Sequence, residues 1–334
     1  MASTTKLLFL ILVVFPMAAT AQLTTADEEM IAEFMVENGI PGLSVAIAMN
    51  GELTYAKGFG ESNPAHEPVT ESTIFQAASI SKSLTSVLVL RHVQAGRLGL
   101  DHSVNQYLEG WQLETSKKSI EEIPTIAQLL NHTGGTNIHG FLGYRNTSKR
   151  VPDLNMILNG NKFTHIWEPK IRVTNPPNTA YDYSGGGYCV LQKIIGDIDE
   201  ASFDEQMRRE IFEPSHMTSS FFSTNLTPAQ EQQIAIGFMK PNKPVKDGYH
   251  VYPQLAAAGL WTTPSDLTRF LGQIQHSVGS ADPEALLTQA SLKRLLTHPI
   301  LEDGTSGPYG LGFYLLVDPE TDEAHSIHHF GSNQ

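Results

Sequence analysis

The sequence predicts an α+β fold, because segments of strand character stand at both ends of the chain and helical segments fill the middle. Near the amino terminus, residues 43–49 and 52–58 flank Asn50-Gly51, a dipeptide typical of tight β-hairpins. Strand character returns at 309–317 and again at 326–330. The pattern alone indicates antiparallel strands and helices, and no particular architecture.

Helix signals can be placed in order along the chain. Thr25-Ala26-Asp27-Glu28 has the form of a capping box, and apolar residues follow at helical spacing until Asn38-Gly39. Residues 79–95 are apolar nearly all round, which predicts a buried central helix. Further helix starts are expected at Ser202-Phe203-Asp204-Glu205 and at Thr263-Pro264-Ser265-Asp266.

Residues 1–21 have the features of a secretory signal peptide. They hold one lysine (Lys6), an apolar stretch from Leu7 to Phe15, and Ala19-Thr20-Ala21, a small-x-small cleavage pattern before Gln22. A membrane anchor needs about 20 apolar residues, and this stretch is much shorter. The sequence therefore predicts an exported protein, periplasmic or secreted, without a stable membrane anchor.

The formal net charge is −13, and removal of Lys6 with the signal would make it −14. Nucleic acid is therefore a disfavoured partner. The single cysteine, Cys189, allows no internal disulfide, and its apolar neighbours indicate a buried small side chain rather than a second nucleophile. Residues 22–334 offer enough apolar material for one large two-lobed domain.

Ser79 and Lys82 stand at the start of the predicted central helix, one turn apart on one face. A serine hydroxyl is a weak nucleophile until a base takes its proton. A lysine base must be neutral, and burial and the positive helix end both lower an amine pKa from about 10.4. The pair is a candidate nucleophile and base, although a lone Ser-x-x-Lys is as well explained by an ordinary helix start.

Two later segments strengthen the interpretation of this pair as a nucleophile and its base. Tyr183-Ser184-Gly185 and His329-Phe330-Gly331 follow Ser79-Ile80-Ser81-Lys82 in an order that resembles the serine β-lactamase and penicillin-binding-protein superfamily. More narrowly, the order resembles the class C-type serine hydrolases, which include esterases and D-aminopeptidases. Supporting segments are Ile40-Pro41-Gly42-Leu43, Phe75-Gln76-Ala77-Ala78-Ser79, Leu129-Leu130-Asn131-His132-Thr133-Gly134-Gly135 and Ala258-Gly259-Leu260-Trp261-Thr262-Thr263.

The resemblance implies an antiparallel sheet flanked by helices, plus a mostly helical lobe, with the active site in the cleft between. The sheet lobe would take residues 22–75 and 301–334, and the helical lobe residues 76–300. In such proteins the strand of the third motif is followed by two more strands and a carboxy-terminal helix. The sequence ends at Gln334, three residues after Gly331, so it is predicted to be a fragment of a longer reading frame.

The resemblance also assigns catalytic roles. Ser79 would attack, and Tyr183 would share proton transfer with Lys82 and protonate the leaving group. The backbone amides of Ser79 and Ser332 would form the oxyanion hole.

Three further residues are predicted to contact substrate. His329 stands where many relatives have the lysine of Lys-Thr-Gly, and is mostly neutral near pH 7 if its pKa stays around 6.5. A pocket with a neutral residue there should hold a penicillin carboxylate poorly. Gly331 would allow close approach of a substrate backbone. Gly185 replaces the asparagine of the commoner Tyr-x-Asn, which removes an amide that could bind the acyl group or the lysine.

Other histidines are interpreted as structural. His132-Thr133-Gly134 also fits His-x-Gly, but it precedes Tyr183 and is assigned to a turn. His325 and His329 would share one face of a strand while His328 points the other way, and no known metal-ligand spacing is present. Neither a metal nor a cofactor is expected, and the absence of Gly-x-Ser-x-Gly argues against an α/β-hydrolase.

These observations predict an exported serine hydrolase that forms an acyl-enzyme on a small ester, peptide or cell-wall-derived substrate. The alternatives are a β-lactamase and a non-catalytic domain of the same fold that binds cell-wall fragments. A binder has no need to keep Ser79, Lys82 and Tyr183 together.

Overall fold

The computed structural model describes residues 22–160, 168–240, 243–318, 320–321 and 324–333. The predicted signal peptide lies outside these residues. The helices are α1 Thr25–Asn38, α2 Ser81–Gln94, α3 Ile126–Leu130, α4 Leu154–Asn159, α5 Gly185–Asp197, α6 Phe203–Met207, α7 Pro228–Glu231, α8 Leu255–Ala258, α9 Pro264–Ser277 and α10 Gln289–Leu295. The strands are β1 Gly42–Met49, β2 Glu52–Gly60, β3 Phe75–Ala78, β4 Tyr144–Arg145, β5 Phe221–Phe222, β6 Phe238–Lys240, β7 Lys243–Pro244, β8 His250–Val251, β9 Leu260–Thr262, β10 Tyr314–Val317 and β11 Ala324–His328. This combination of small antiparallel sheets and helices confirms the predicted α+β class.

The first helix is confirmed, but its cap was predicted one residue too late. Thr24, not Thr25, is the cap: its Oγ1 accepts a hydrogen bond from the Asp27 N–H at 3.3 Å, and its own N–H donates to Asp27 Oδ2 at 2.8 Å. The backbone of Thr24 is extended, whereas Thr25 is already helical. Either threonine satisfied the sequence pattern, and the backbone conformation selects the first.

The hairpin is confirmed as the antiparallel pair β1–β2. Asn50 and Gly51 both have positive φ, at 52° and 82°, as a two-residue turn of this kind requires. Helix α9 packs against both strands, and Gly272 on α9 approaches Gly51 so closely that an added Cβ would lie 2.8 Å from the Gly51 carbonyl oxygen. Thus α9, although distant along the chain, covers the hairpin.

Helix α2 runs through the main core, as predicted for a helix that is apolar on all sides. Residues 81–90 are all buried, and they contact α8, the π-helical turn Arg208–Phe212 and α6. Cys189 on α5 is also fully buried, as expected, and burial raises the pKa of its thiol. This packing fixes the amino end of α2, where Ser79 and Lys82 lie.

The carboxy-terminal strands are shorter than predicted. Strand β10 begins at Tyr314 because residues 309–313 form a turn, closed by a 2.9 Å bond from the Gly310 N–H to the Phe313 carbonyl, with Gly312 at φ 89°. Strand β11 ends at His328. His329 therefore follows the strand, and its predicted place within the strand is wrong.

A three-stranded sheet in the order β3–β9–β5 was not predicted. Its strands have only two to four residues, too short to show a period in the sequence. Strand β3 ends directly before Ser79, so this sheet fixes the start of the turn that carries Ser79.

Among the described residues, no helix combines the length and apolar character that a membrane span requires.

Candidate active site

The predicted motif residues meet in one cleft of about 460 Å³. Its walls come from the start of α2, the loop 139–141, the segment before α5, the end of α8, strand β10 and the residues after β11. The lining residues are Ser79, Lys82, His139, Gly140, Phe141, Tyr181, Tyr183, Ala257, Ala258, Tyr314, His329, Phe330, Gly331, Ser332 and Asn333.

Ser79 lies in the turn between β3 and α2, where the backbone is strained. Ala78 has φ 50°, a left-handed conformation that alanine rarely adopts. Ser81 holds this turn, because its hydroxyl donates to the Ala78 carbonyl at 2.5 Å and accepts from the Leu260 N–H at 2.9 Å. The turn presents the Ser79 side chain to the cleft just ahead of the first helical amides.

Lys82 is buried beneath Ser79, and only 2% of the residue is exposed. Its Nζ lies 3.1 Å from Ser79 Oγ and donates to the Ala257 carbonyl at 2.7 Å. Burial lowers the pKa of this amine from 10.5 to about 7. A large fraction of Lys82 is therefore neutral at pH 7 and able to accept the serine proton.

Tyr183 completes the polar group, with its ring centroid 4.9 Å from Lys82 Nζ. Burial raises the pKa of the phenol well above its usual value, and a hydrogen bond with Ser79 opposes this shift only in part. The phenol is therefore protonated near neutral pH, while Lys82 is the group that is poised to lose its proton. This ordering makes lysine the better base and tyrosine the better proton donor.

His329 faces the cleft from just beyond β11 and is 8% exposed. Its Nδ1 lies 2.7 Å from the Phe330 carbonyl, so Nδ1 carries the proton, and Nε2 accepts from the Tyr309 hydroxyl at 2.7 Å. Burial and the nearby Lys82 lower the pKa of this imidazole to about 3. The pKa therefore does not stay around 6.5, and His329 is neutral near pH 7, as expected, and well below it.

Gly331 brings the last described segment against the nucleophile turn. A Cβ at Gly331 would lie 2.1 Å from the Ala77 carbonyl oxygen, so only glycine fits this approach. It places Ser332 at the cleft beside Ser79. Within the described chain, neither the Ser79 nor the Ser332 amide donates to another protein group, which leaves both free for a substrate oxygen.

Gly185 is the first residue of α5, and the loop before β4 occupies the space where a side chain would extend. A Cβ there would lie 2.9 Å from Phe141 Cε2 and 3.3 Å from the His139 carbonyl oxygen. Phe141 itself lines the cleft. An apolar ring therefore stands beside the position at which the commoner motif has an amide.

Several residues of the site have no signal in the sequence. The Ala257 carbonyl that holds Lys82 carries no side-chain signal, and Phe141 comes from a loop without a motif. His132 does lie at a bend, with φ 62°, as its assignment to a turn requires. Its ring, however, is only 4.2 Å from that of Tyr183, a contact that the sequence order did not suggest.

Among the described residues, no three histidine, cysteine or acidic side chains are grouped so that they could hold a metal ion.

A family model described as Beta-lactamase matches residues 28–334. The chain belongs to the beta-lactamase family. The resemblance to the serine β-lactamase and penicillin-binding-protein superfamily is therefore confirmed. Among curated relatives, this beta-lactamase family chain is 24% identical over 311 residues to Protein flp of Staphylococcus aureus, covering 91% of the chain and 57% of that protein. It thus spans little more than half the length of this relative.

Solved structures show the same fold. A D-amino acid amidase from Ochrobactrum anthropi SV3, complexed with D-phenylalanine, has a TM-score of 0.69 at 20% identity and covers 91% of this chain and 83% of its own. EstCE1, described as a hydrolase with promiscuous acyltransferase activity, has a TM-score of 0.65 at 18% identity and covers 87% of this chain and 82% of its own. The family model and these neighbours show that the chain has the β-lactamase fold.

Proposed function

We propose that this protein is an exported serine hydrolase that cleaves small, uncharged esters through an acyl-enzyme. The observation that carries the proposal is the buried amine of Lys82, 3.1 Å from Ser79 Oγ and with a pKa lowered to about 7. A lysine without an acidic partner is rarely buried for stability alone, because burying an ammonium costs free energy. A role as general base explains why Lys82 is buried here, because an amine with a pKa near 7 is partly neutral at neutral pH.

The proposed reaction begins when Ser79 Oγ attacks the substrate carbonyl and its proton passes to Lys82 Nζ. The carbonyl oxygen becomes an oxyanion that the Ser79 and Ser332 amides stabilise. The tetrahedral intermediate collapses, and the leaving alkoxide takes the phenolic proton of Tyr183, which Lys82 then restores. Attack by water on the acyl-enzyme, with the same groups in reverse roles, releases the acid and regenerates the Ser79 hydroxyl.

The preference for uncharged substrates follows from the walls of the cleft. Lys82 is the only lysine or arginine among the described lining residues, and it lies at the base beneath Ser79. His329 is neutral, since burial lowers its pKa to about 3. A substrate carboxylate would lose its hydration and find no lysine or arginine at the mouth of the cleft among the described lining residues. This ranks a β-lactam or a peptide with a free carboxylate below a neutral ester.

A neutral amide is the second candidate. The amidase neighbour is described in complex with D-phenylalanine, and in this chain the aromatic rings of Phe141, Tyr181 and Tyr314 line the cleft. A non-catalytic binder of cell-wall fragments ranks lowest, because binding alone does not require a base with a lowered pKa.

The test uses the full-length protein with a serine-directed fluorophosphonate, p-nitrophenyl butyrate and nitrocefin. We expect one phosphonyl adduct on the peptide that contains Ser79, its loss in Ser79→Ala and Lys82→Ala, and ester turnover well above nitrocefin turnover. Ser265→Ala on α9 serves as the matched control, because Ser265 is a buried serine that does not line the cleft. Labelling that persists in Ser79→Ala would refute the nucleophile assignment, and faster nitrocefin turnover would reverse the substrate ranking.

Export is tested separately by the mass of the mature protein. Cleavage after Ala21 should leave Gln22 as the first residue.

A further inference from the structure

His132 is buried directly against the proposed proton donor, although it does not line the cleft. It is 1% exposed, and its ring centroid lies 4.2 Å from that of Tyr183. The rings of Tyr309 and Tyr188 pack around it at 4.7 and 5.3 Å. Tyr183 thus packs against a residue that two other aromatic rings also contact.

His132 also binds the backbone on both sides of Tyr183. The Asp182 N–H donates to the His132 carbonyl at 2.8 Å, and the Ser184 N–H donates to His132 Nδ1 at 3.1 Å. The two bonds fix the backbone one residue before and one residue after Tyr183, while the ring contact limits where its side chain can turn. One residue therefore sets both the backbone and the ring of the tyrosine.

The turn that carries His132 is fixed in the same way. His132 has φ 62°, and the Asn131 Oδ1 accepts from the N–H and the hydroxyl of Thr133 at 3.1 and 2.8 Å. The Thr133 carbonyl accepts from the Asn178 N–H at 2.7 Å. These bonds hold the backbone around the imidazole, so it can act as a rigid support.

The hydrogen bonds also define the protonation of the imidazole. Since Nδ1 accepts from Ser184, the neutral ring carries its proton on Nε2. Burial, together with Lys82 and His329, lowers the pKa of His132 well below its usual value. Nε2 is buried and has no hydrogen-bond partner among the described residues, which is unfavourable for a polar N–H. A support with an apolar ring would avoid that cost but would lack the acceptor for Ser184.

From this geometry we infer that His132 is a positioning residue for catalysis, which holds Tyr183 at the distance where its hydroxyl serves Ser79 and the leaving group. The inference rests on the proposed hydrolase function. It assigns His132 no contact with substrate. Its effect should pass entirely through Tyr183, and this separates it from a residue that merely stabilises the fold.

The experiment is a double-mutant cycle on the full chain with p-nitrophenyl butyrate, with rates expressed per Ser79 titrated by fluorophosphonate. We expect His132→Ala to lower kcat about 10- to 100-fold with little change in KM, since a misplaced donor affects the transition state. In a Tyr183→Phe background the same change should cost less than about 3-fold. His132→Asn should recover much of the rate, because its amide oxygen can accept from Ser184 and asparagine tolerates positive φ. His92→Asn, a buried histidine on α2 away from the cleft, is the matched control.

The inference would be overturned if the kcat losses of His132→Ala and Tyr183→Phe multiplied in the double variant. It would also be overturned if His92→Asn lost as much kcat as His132→Ala. A wild-type protein that turns over no ester and takes no phosphonate would instead refute the proposed function. A readout without activity remains in that case: ¹⁵N-labelled histidine should show His132 neutral at pH 6.5, with its proton on Nε2. A ring that is largely protonated at that pH, or that carries its proton on Nδ1, would contradict the geometry inferred for His132.

Discussion

Replacement of Lys82 by methionine should abolish activity and stabilise the fold. Methionine keeps an unbranched side chain of similar length but places no charge in the core. In the folded protein the pKa of Lys82 is about 7, against 10.5 for the free side chain, a difference of about 3.5. At 1.36 kcal/mol for each pKa unit, the fold favours the neutral amine over the ammonium by about 5 kcal/mol.

Only part of this difference should appear as a higher free energy of unfolding in Lys82→Met. The variant leaves the buried Ala257 carbonyl without its Lys82 partner, which costs about 1–3 kcal/mol, whereas the Ser79 hydroxyl lines the cleft. We therefore expect Lys82→Met to raise the free energy of unfolding by about 2–4 kcal/mol at pH 7.

The gain should depend on pH with a definite sign. Between pH 7 and 10.5 the unfolded chain holds the Lys82 proton and the folded chain does not, so wild-type stability rises with pH through this window. Below about pH 7 both states hold the proton and this contribution is flat. The advantage of Lys82→Met should therefore be greatest at pH 6 to 7 and shrink by pH 9.

Urea unfolding of both proteins at pH 6.5, 8 and 9.5 measures this difference, with Lys193→Met on α5 as the control for a lysine-to-methionine change. Ester kcat/KM of the wild type should rise with pH through an apparent pKa near 7. The same pH profile measured in His139→Gln removes any contribution of the second imidazole that faces the cleft. A stability difference that stays constant over this range, or Lys82→Met less stable than wild type at every pH, would refute the reasoning.

Three further substitutions test the walls of the cleft. His329→Lys should favour carboxylate-bearing substrates, measured as at least a tenfold rise in the ratio of nitrocefin to butyrate kcat/KM, whereas His329→Asn should leave that ratio unchanged. Gly331→Ala should lose most ester turnover, because its Cβ would lie 2.1 Å from the Ala77 carbonyl; turnover within about twofold of wild type would contradict the close approach. Gly185→Asn should be destabilised by about 1–3 kcal/mol through overlap with Phe141 and rescued by Phe141→Ala, with both read from thermal unfolding.

The parts of the molecule that the sequence predicted well are those with local physical signals. Asn50-Gly51 specifies its own turn, and the continuous apolar character around Leu84 specifies a buried helix. Ser79 lies in the turn that leads into α2 and Lys82 in the first turn of that helix, so their spacing of three residues predicted the contact, although the helix itself begins at Ser81, two residues later than expected. These predictions required no knowledge of distant contacts.

The predictions that failed depend on contacts between distant segments. The pKa of His329 could not be predicted from its neighbours in sequence, because burial against Tyr309 and Lys82 determines it. Short strands such as β3 owe their pairing to partners far along the chain.

The same distinction explains why His132 was assigned a purely structural role. Its sequence neighbourhood contains only a turn, and 51 residues separate it from Tyr183. Both conclusions hold at once, because the left-handed backbone that makes the turn also aims Nδ1 at Ser184 and the carbonyl at Asp182. A residue that forms a turn can therefore also hold the proposed proton donor. Burial lowers the pKa of Lys82, and Tyr183 packs against His132, so in the proposed mechanism the core around the cleft contributes to the chemistry as directly as the residues that line it.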